Sequence, residues 1–304
     1  MSASPARGRL PDFLVIGAMK GGSTTLWGML ARHPQLFMCE PKEPQFFSRP
    51  ERWPGGLPEY QALFAGAAPE QLVGEASTCY SRWPHYGDVA GRIADVLPNA
   101  KLIYQLRHPV ERAYSHYRHA MEERVARATG PVISFADALS EIPEILDASR
   151  YRTQLAQFLA RFPRERIHVL TLDELRAEPE RSWSELQKFL GVSELDVEGG
   201  LPVDNPSGTK VARGGMRRVI RRVKRLPGWR ALKQLVPRGA RRGVRGWLLR
   251  PEIARRFQRA RMREHSESVE PLEADLRRQL TERLESETRA LEEFLGRSLP
   301  EWRR

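Results

Sequence analysis

Apolar residues along this chain follow two spacings. Short solid runs, Asp12-Phe13-Leu14-Val15-Ile16, Leu72-Val73-Gly74-Glu75-Ala76-Ser77, Lys101-Leu102-Ile103-Tyr104-Gln105-Leu106 and Ile167-His168-Val169-Leu170-Thr171-Leu172, carry β-branched members and barely alternate. A strand buried on both faces reads this way, so these runs predict parallel strands. Between them, helical spacing predicts helices from Leu26 to Arg32, Asp88 to Leu97, Val110 to about Ala128, Tyr151 to Phe162 and Pro179 to Leu190. Pro34 stops the first of these, because the residue before a proline is pushed out of helical geometry. Residues 51–70 read as loop or short helix. Strands alternating with helices predict an α/β fold, a P-loop-like central parallel sheet flanked by helices.

Further on, 202–215 reads as loop, and Pro227, Pro237 and Pro251 divide the next stretch into short helices. Leu272, Leu276, Leu280, Leu284, Leu291 and Leu295 form a heptad-like series too short for a coiled coil, so a closing helix packed on the domain is expected. The chain of 304 residues is thus expected to be one domain, 1–304, with an α/β core (10–200), a basic loop and helical segment (201–265) and a closing helix (266–304).

Charge changes this picture in one place. From Arg213 to Arg263 there are 19 Lys/Arg and one acid, Glu252. That local +18 leaves the rest of a +12 chain at −6, so one segment makes the protein basic. Such a segment calls for an acidic neighbour: an anionic cofactor, a membrane surface, an acidic glycan or nucleic acid. No base-reading motif accompanies it, so nucleic acid is not expected. Trp229, Leu232, Trp247 and Leu248 interleave with its arginines, as on a helix lying on an anionic membrane; a solvated helical face reads the same way. No apolar run reaches the ~18 residues of a membrane span, and no secretory signal is visible near Met1. Two cysteines, Cys39 and Cys79, make neither a disulfide framework nor a metal cluster. A cytoplasmic location is expected, peripheral to the inner membrane face if the basic segment binds lipid.

Candidate chemistry begins at the end of the first predicted strand. Gly17-Ala18-Met19-Lys20-Gly21-Gly22-Ser23-Thr24-Thr25 is a Gly-rich turn entering a helix. Glycines let backbone N–H groups close on an anion, and the helix start adds positive potential. The order is not Walker A, which places Lys after the glycines; here Lys20 precedes Gly21-Gly22 and three hydroxyl residues come after them. Pro41 and Pro44 hold a second stretch extended around Lys42-Glu43, with Gln45-Phe46-Phe47 behind it; a solvated turn is the competing reading. Arg107 falls just past a strand, and Ser115 lies eight residues on in the next helix. Arg107 and Ser115 suit a phosphate gripped from two sides, while a salt bridge from Arg107 to Glu111 or Asp88 is the alternative. Lys20, Glu75 and Arg107 all sit at or just past strand ends, the edge where such sheets bind ligands.

Taken together, these stretches resemble the sulfotransferases that use 3′-phosphoadenosine 5′-phosphosulfate (PAPS), in particular their heparan-sulfate and bacterial carbohydrate branch. The motifs that carry the resemblance are Lys20–Thr25, Lys42-Glu43-Pro44-Gln45-Phe46-Phe47, Gly74-Glu75-Ala76-Ser77 with Tyr80, and Leu106-Arg107-His108-Pro109 through Ser115-His116-Tyr117, with a weaker echo at Leu295–Trp302. The resemblance implies that Lys20, Gly21, Gly22, Ser23, Thr24 and Thr25 hold the 5′-phosphosulfate and that Arg107 and Ser115 hold the 3′-phosphate. Lys210 and Arg213 match more loosely a basic loop that closes over the cofactor. It implies Glu43 as the general base, with Glu75 as the rival base or as a buried carboxylate orienting Lys20 or Arg107. It further implies that Lys42 favours ionisation of Glu43 and assists the sulfuryl group. Two departures stand out: Gln45 where many relatives have His, and Ala76 where heparan-type members usually have Lys. No metal is expected. The implied reaction moves a sulfuryl group to a hydroxyl, less readily an amine, of a small-molecule, glycan or glycolipid acceptor. A P-loop kinase of a small molecule, and a catalytically inactive nucleotide- or membrane-binding module, are the competing classes.

Overall fold

Phe13–Gly17 is buried at all five positions because it is the middle strand of the sheet. The structure, a computed structural model, describes residues 8–196 and 271–303. Its strands are β1 (Phe13–Gly17), β2 (Leu36–Met38), β3 (Leu72–Ala76), β4 (Lys101–Leu106) and β5 (Ile167–Thr171). All pairings are parallel and the order is β2-β3-β1-β4-β5. The register sets Leu14 beside Glu75 on one side and beside Leu102 on the other. Consecutive side chains point to opposite faces. Phe13, Val15 and Ile103 therefore pack on one layer, with Leu26 and Leu30 of α1 (Ser23–Arg32) and Trp183 and Leu186 of α9 (Pro179–Leu190). Leu14, Ile16, Leu102 and Tyr104 pack on the other, with Ile93 of α3 (Val89–Val96) and Leu155 and Phe158 of α7 (Tyr151–Leu159). Each fully buried Leu or Phe contributes roughly 1.5–3 kcal/mol, so both layers are needed to hold β1 in place.

The predicted strands and long helices are present, with ends shifted by up to three residues. Asp88 caps α3 by accepting from the Gly91 amide at 2.8 Å, and α4 (Pro109–Arg127) begins two residues after β4 ends. The remaining helices are α2 (Leu57–Ala62), α5 (Phe135–Glu141), α6 (Glu144–Asp147), α8 (Leu172–Ala177), α10 (Ala274–Arg283) and α11 (Glu285–Leu295). The single closing helix is in fact two, because Leu284 leaves helical geometry at φ −99° and ψ 3°. Four-residue steps overshoot a 3.6-residue turn by about 40° each, so Leu272 to Leu284 drift around a straight helix and the break resets the apolar face. Strand β2, three residues shortly after Pro34, is not among the predicted strands. Contacts divide the described residues into two compact units: 8–116, 138–196 and 272–303 form the first, and Tyr117–Asp137 belongs to a second. Residues 201–265, with Lys210 and Arg213, lie outside the described residues. No described helix is long and apolar enough to cross a membrane.

Candidate active site

The tips of β3, β1 and β4 lie side by side at one edge of the sheet. The turn after β1 is drawn tight: the Ala18 amide donates to Gln105 O at 2.6 Å and the Gly21 amide to Ala18 O at 2.9 Å. A Cβ on Gly21 would stand 2.6 Å from Gln105 O, so only glycine fits there. Gly22 caps α1 at φ 97°, left-handed geometry that glycine adopts without strain. Lys20 has φ 66° without that freedom. Strain of this kind, about 1–3 kcal/mol per residue, persists where surrounding contacts enforce it and gathers at functional sites. Three of the four non-glycine residues with positive φ among the described residues, Lys20, Glu43 and Gln45, are ones that the sequence motifs single out. No side chain caps α1, so its first-turn amides face the turn with their positive potential.

The Lys42-Glu43 stretch arches over this turn. Lys42 Nζ donates to Ser23 Oγ at 3.2 Å and to Thr24 Oγ1 at 3.1 Å, joining the arch to the hydroxyls that open α1. Glu43 lies 3.9 Å from Lys42 Nζ, and its side chain is about one-quarter exposed. The backbone of the arch is tied to the β3 tip by Glu43 N–H to Ala76 O (3.1 Å), Gln45 N–H to Ser77 Oγ (3.0 Å) and Phe47 N–H to Tyr80 Oη (3.4 Å). Gln45 Oε1 accepts from Arg49 Nη2 at 2.8 Å. These ties reject the free solvated turn.

Glu75 is the hub beneath the arch. It is wholly buried, and its carboxylate accepts from Tyr60 (2.9 Å), Tyr80 (2.6 Å) and Ser77 (2.7 Å). Neither Lys20 nor Arg107 is among these partners. Burial lifts its carboxyl to about 7, against the pull of the three hydroxyls, and the nearby Glu43 charge adds to the rise. Phe46 stacks on Tyr60 at 4.5 Å, so the aromatic pair anchors the arch as its composition suggests.

At the tip of β4, Arg107 Nη2 donates to Glu111 Oε2 at 3.3 Å, the first of the two expected alternatives; Asp88 pairs instead with Arg161. Glu111 also receives Arg277 of α10. The Arg107 backbone is fixed by Tyr151, whose hydroxyl donates to Arg107 O at 2.7 Å. Trp302, from the C-terminal echo, is buried against the Tyr151 ring at 5.6 Å and donates through Nε1 to Asp173. Ser115, half-buried on α4, makes no side-chain hydrogen bond among the described residues. Tyr60, Tyr151, Arg82 and Arg112 escape detection in the sequence. Only Arg112 lies inside a recognisable motif, where nothing distinguishes it from a surface charge.

A glycine-rich strand-turn-helix, a second cationic strand tip and a tethered carboxylate thus meet at one edge of an α/β sheet, donors of the kind that suit phosphate-like groups. Residues 58–196 match the model of the sulfotransferase family. Two bifunctional heparan sulfate N-deacetylase/N-sulfotransferases are similar. That of Caenorhabditis briggsae is 31% identical over 216 residues, covering 65% of this chain and 24% of that protein. Human number 3 is 31% identical over 202 residues, covering 60% and 22%. The chain spans about a quarter of the length of the relatives it matches. A solved sulfotransferase from Alicyclobacillus acidocaldarius superposes over 97% of this chain and 100% of its own with a TM-score of 0.63 and 24% identity, a likeness of fold. The family-model match and the similar enzymes together support a sulfotransferase family for this chain.

Proposed function

We propose that this protein transfers a sulfuryl group from PAPS to a carbohydrate acceptor. The observation that carries the reading is the joining of two halves at one sheet edge: Lys42 bonded to the hydroxyls of the cationic turn, and Glu43 tied to the neighbouring strand tip. The residues present fit such a donor. Gly21 and Gly22 let the turn pack against Gln105 and Leu172 where a Cβ would clash, and Lys20, Ser23, Thr24 and Thr25 place cationic and hydroxyl donors along that turn and the helix start. Arg107 and Ser115 would hold the 3′-phosphate, with Glu111 keeping the guanidinium in place. Lys210 and Arg213 are proposed to close over the cofactor. When bound, PAPS supplies the activated sulfuryl group and a phosphate leaving group.

The chain's own residues then do three things. Lys20 and the turn amides neutralise charge where the leaving phosphate develops it. Lys42 steadies the sulfuryl oxygens beside the turn. Glu43, about one-quarter exposed where Glu75 is wholly buried, takes the acceptor proton, while Gln45 and Glu75 hold the arch in register.

A hydroxyl and an amine make the same demand on Glu43. The similar heparan sulfate enzymes are named N-sulfotransferases, which supports an amino sugar as the first acceptor to test. Calorimetry with 3′,5′-ADP, against ATP with Mg²⁺, tests the donor; labelled-sulfate transfer to a de-N-acetylated and a fully N-acetylated oligosaccharide tests the acceptor. Preference for ATP–Mg²⁺ would sink the reading in favour of a kinase. Tight 3′,5′-ADP binding without transfer to any glycan would leave a binding module.

A further inference from the structure

Arg112 is wholly buried, yet no carboxylate pairs with it among the described residues. Its guanidinium is spent on three oxygen acceptors, with His116 Nδ1 also 3.5 Å from Nη1: Nε donates to Ser149 Oγ at 2.6 Å, Nη2 to Ile145 O, and Nη1 to Met19 O at 3.4 Å. A buried cation is costly unless its donors are satisfied, and burial accordingly pulls its pKa down. The last of the three acceptors is the informative one. Met19 immediately precedes Lys20, so its carbonyl belongs to the peptide that gives Lys20 its positive φ. Arg82 reaches the same residue from the turn after β3, placing Nη1 3.4 Å from Met19 Sδ and 2.6 Å from Glu144 of α6. Two arginines thus bolt Met19 to the α6 region, one by its backbone and one by its side chain. Released from that hold, the Met19–Lys20 peptide would rotate to relieve the left-handed strain, and Lys20 with its amide would turn off target.

We propose that Arg112 is a positioning residue for the cationic turn, fixing the Met19–Lys20 peptide so that Lys20 and the following amides meet the 5′-phosphate end of the donor. The inference rests on the PAPS reading above and adds to it a mechanical link: Arg112 stands on α4, which carries Ser115 and starts two residues past Arg107, so the element beside the 3′-phosphate grip also sets the 5′ end. Arg112→Lys keeps the charge but loses the fork that reaches three acceptors at once. Ser149→Ala removes the acceptor that orients Nε and disturbs less.

Wild type, Arg112→Lys and Ser149→Ala are titrated calorimetrically with 5′-AMP, 3′-AMP and 3′,5′-ADP, with melting temperatures recorded alongside. Arg112→Lys is expected to weaken 5′-AMP and 3′,5′-ADP by roughly tenfold, the scale of one lost charge-assisted contact, and to leave 3′-AMP unchanged. Ser149→Ala is expected to show a smaller loss on the same two probes. Equal weakening of all three nucleotides would mean that Arg112 merely supports the fold, and unchanged 5′-AMP binding in Arg112→Lys would mean that the turn needs no such hold; either overturns the inference alone. A wild type that binds none of the three overturns the PAPS reading and this inference together.

Discussion

Replacing Glu75 by Gln separates the two carboxylates that compete for the role of base. In the folded protein burial lifts the Glu75 carboxyl from an ordinary 4.5 to about 7. Between those values the folded chain keeps a proton that the unfolded chain has released, so stability falls as pH rises through the window. The loss reaches roughly 3 kcal/mol above pH 7, at 1.36 kcal/mol for each pKa unit. The amide introduced by Glu75→Gln cannot ionise. Its oxygen can still accept from Tyr60 and Tyr80, but its NH₂ faces Ser77, which must turn its hydroxyl away. One compromised buried hydrogen bond costs about 1 kcal/mol. Glu75→Gln should therefore be about 1 kcal/mol less stable than wild type at pH ~4 and about 2 kcal/mol more stable at pH ~8.5, with the curves crossing near pH ~5. Urea denaturation of both proteins across that range measures the difference, and the slopes from all other groups cancel in the subtraction. Parallel stability curves would refute the account of Glu75 as a buried, proton-holding hub. Turnover provides the second readout. A hub should keep sulfuryl transfer within a few-fold, whereas transfer abolished with the pH–stability behaviour intact would make Glu75 the base.

Three other outcomes are expected. Glu43→Gln should lower kcat by roughly 10²–10⁴-fold while leaving the 3′,5′-ADP Kd unchanged, since only proton removal is lost; normal turnover in that variant ends its assignment as base. Arg107→Ala should raise the 3′,5′-ADP Kd by about ten- to a hundredfold, from a lost charge-assisted contact of roughly 1.5–3 kcal/mol, with little change for 5′-AMP; calorimetry distinguishes the two ligands. Reversing the charge of several arginines between 213 and 263 should abolish sedimentation with phosphatidylserine vesicles if that segment binds anionic lipid, and co-sedimentation that survives reversal rules the lipid reading out.

The parts of this protein visible in its sequence are those encoded locally. β1, β4 and the turn between β1 and α1 each fit within a dozen residues, and their apolar runs and glycines announce them. Arg107 is readable because a strand ends beside it. The arch at Lys42-Glu43 is readable as a stretch, but not as a tethered one, because its anchors Ser77 and Tyr80 lie just past a strand more than thirty residues on. Glu75 is placed by its strand end, yet its partner Tyr60 lies in a segment readable only as loop or short helix. Arg112 looks like any helix arginine until the fold wraps α6 and the cationic turn around it. Strand β2 is too short for any period to register. The α8 start is legible in principle: Thr171 and Glu174 form a reciprocal cap with the spacing that marks a helix entrance.

The indole of Trp302 is shielded from solvent and touches the Tyr151 ring, whose hydroxyl grips the Arg107 carbonyl. A natural fluorophore therefore stands two contacts away from the proposed 3′-phosphate grip. A shift of that strand tip on ligand arrival should alter its emission, so nucleotide entry should be readable by stopped-flow optics, without attaching a dye, as the part of the signal lost in Trp302→Phe.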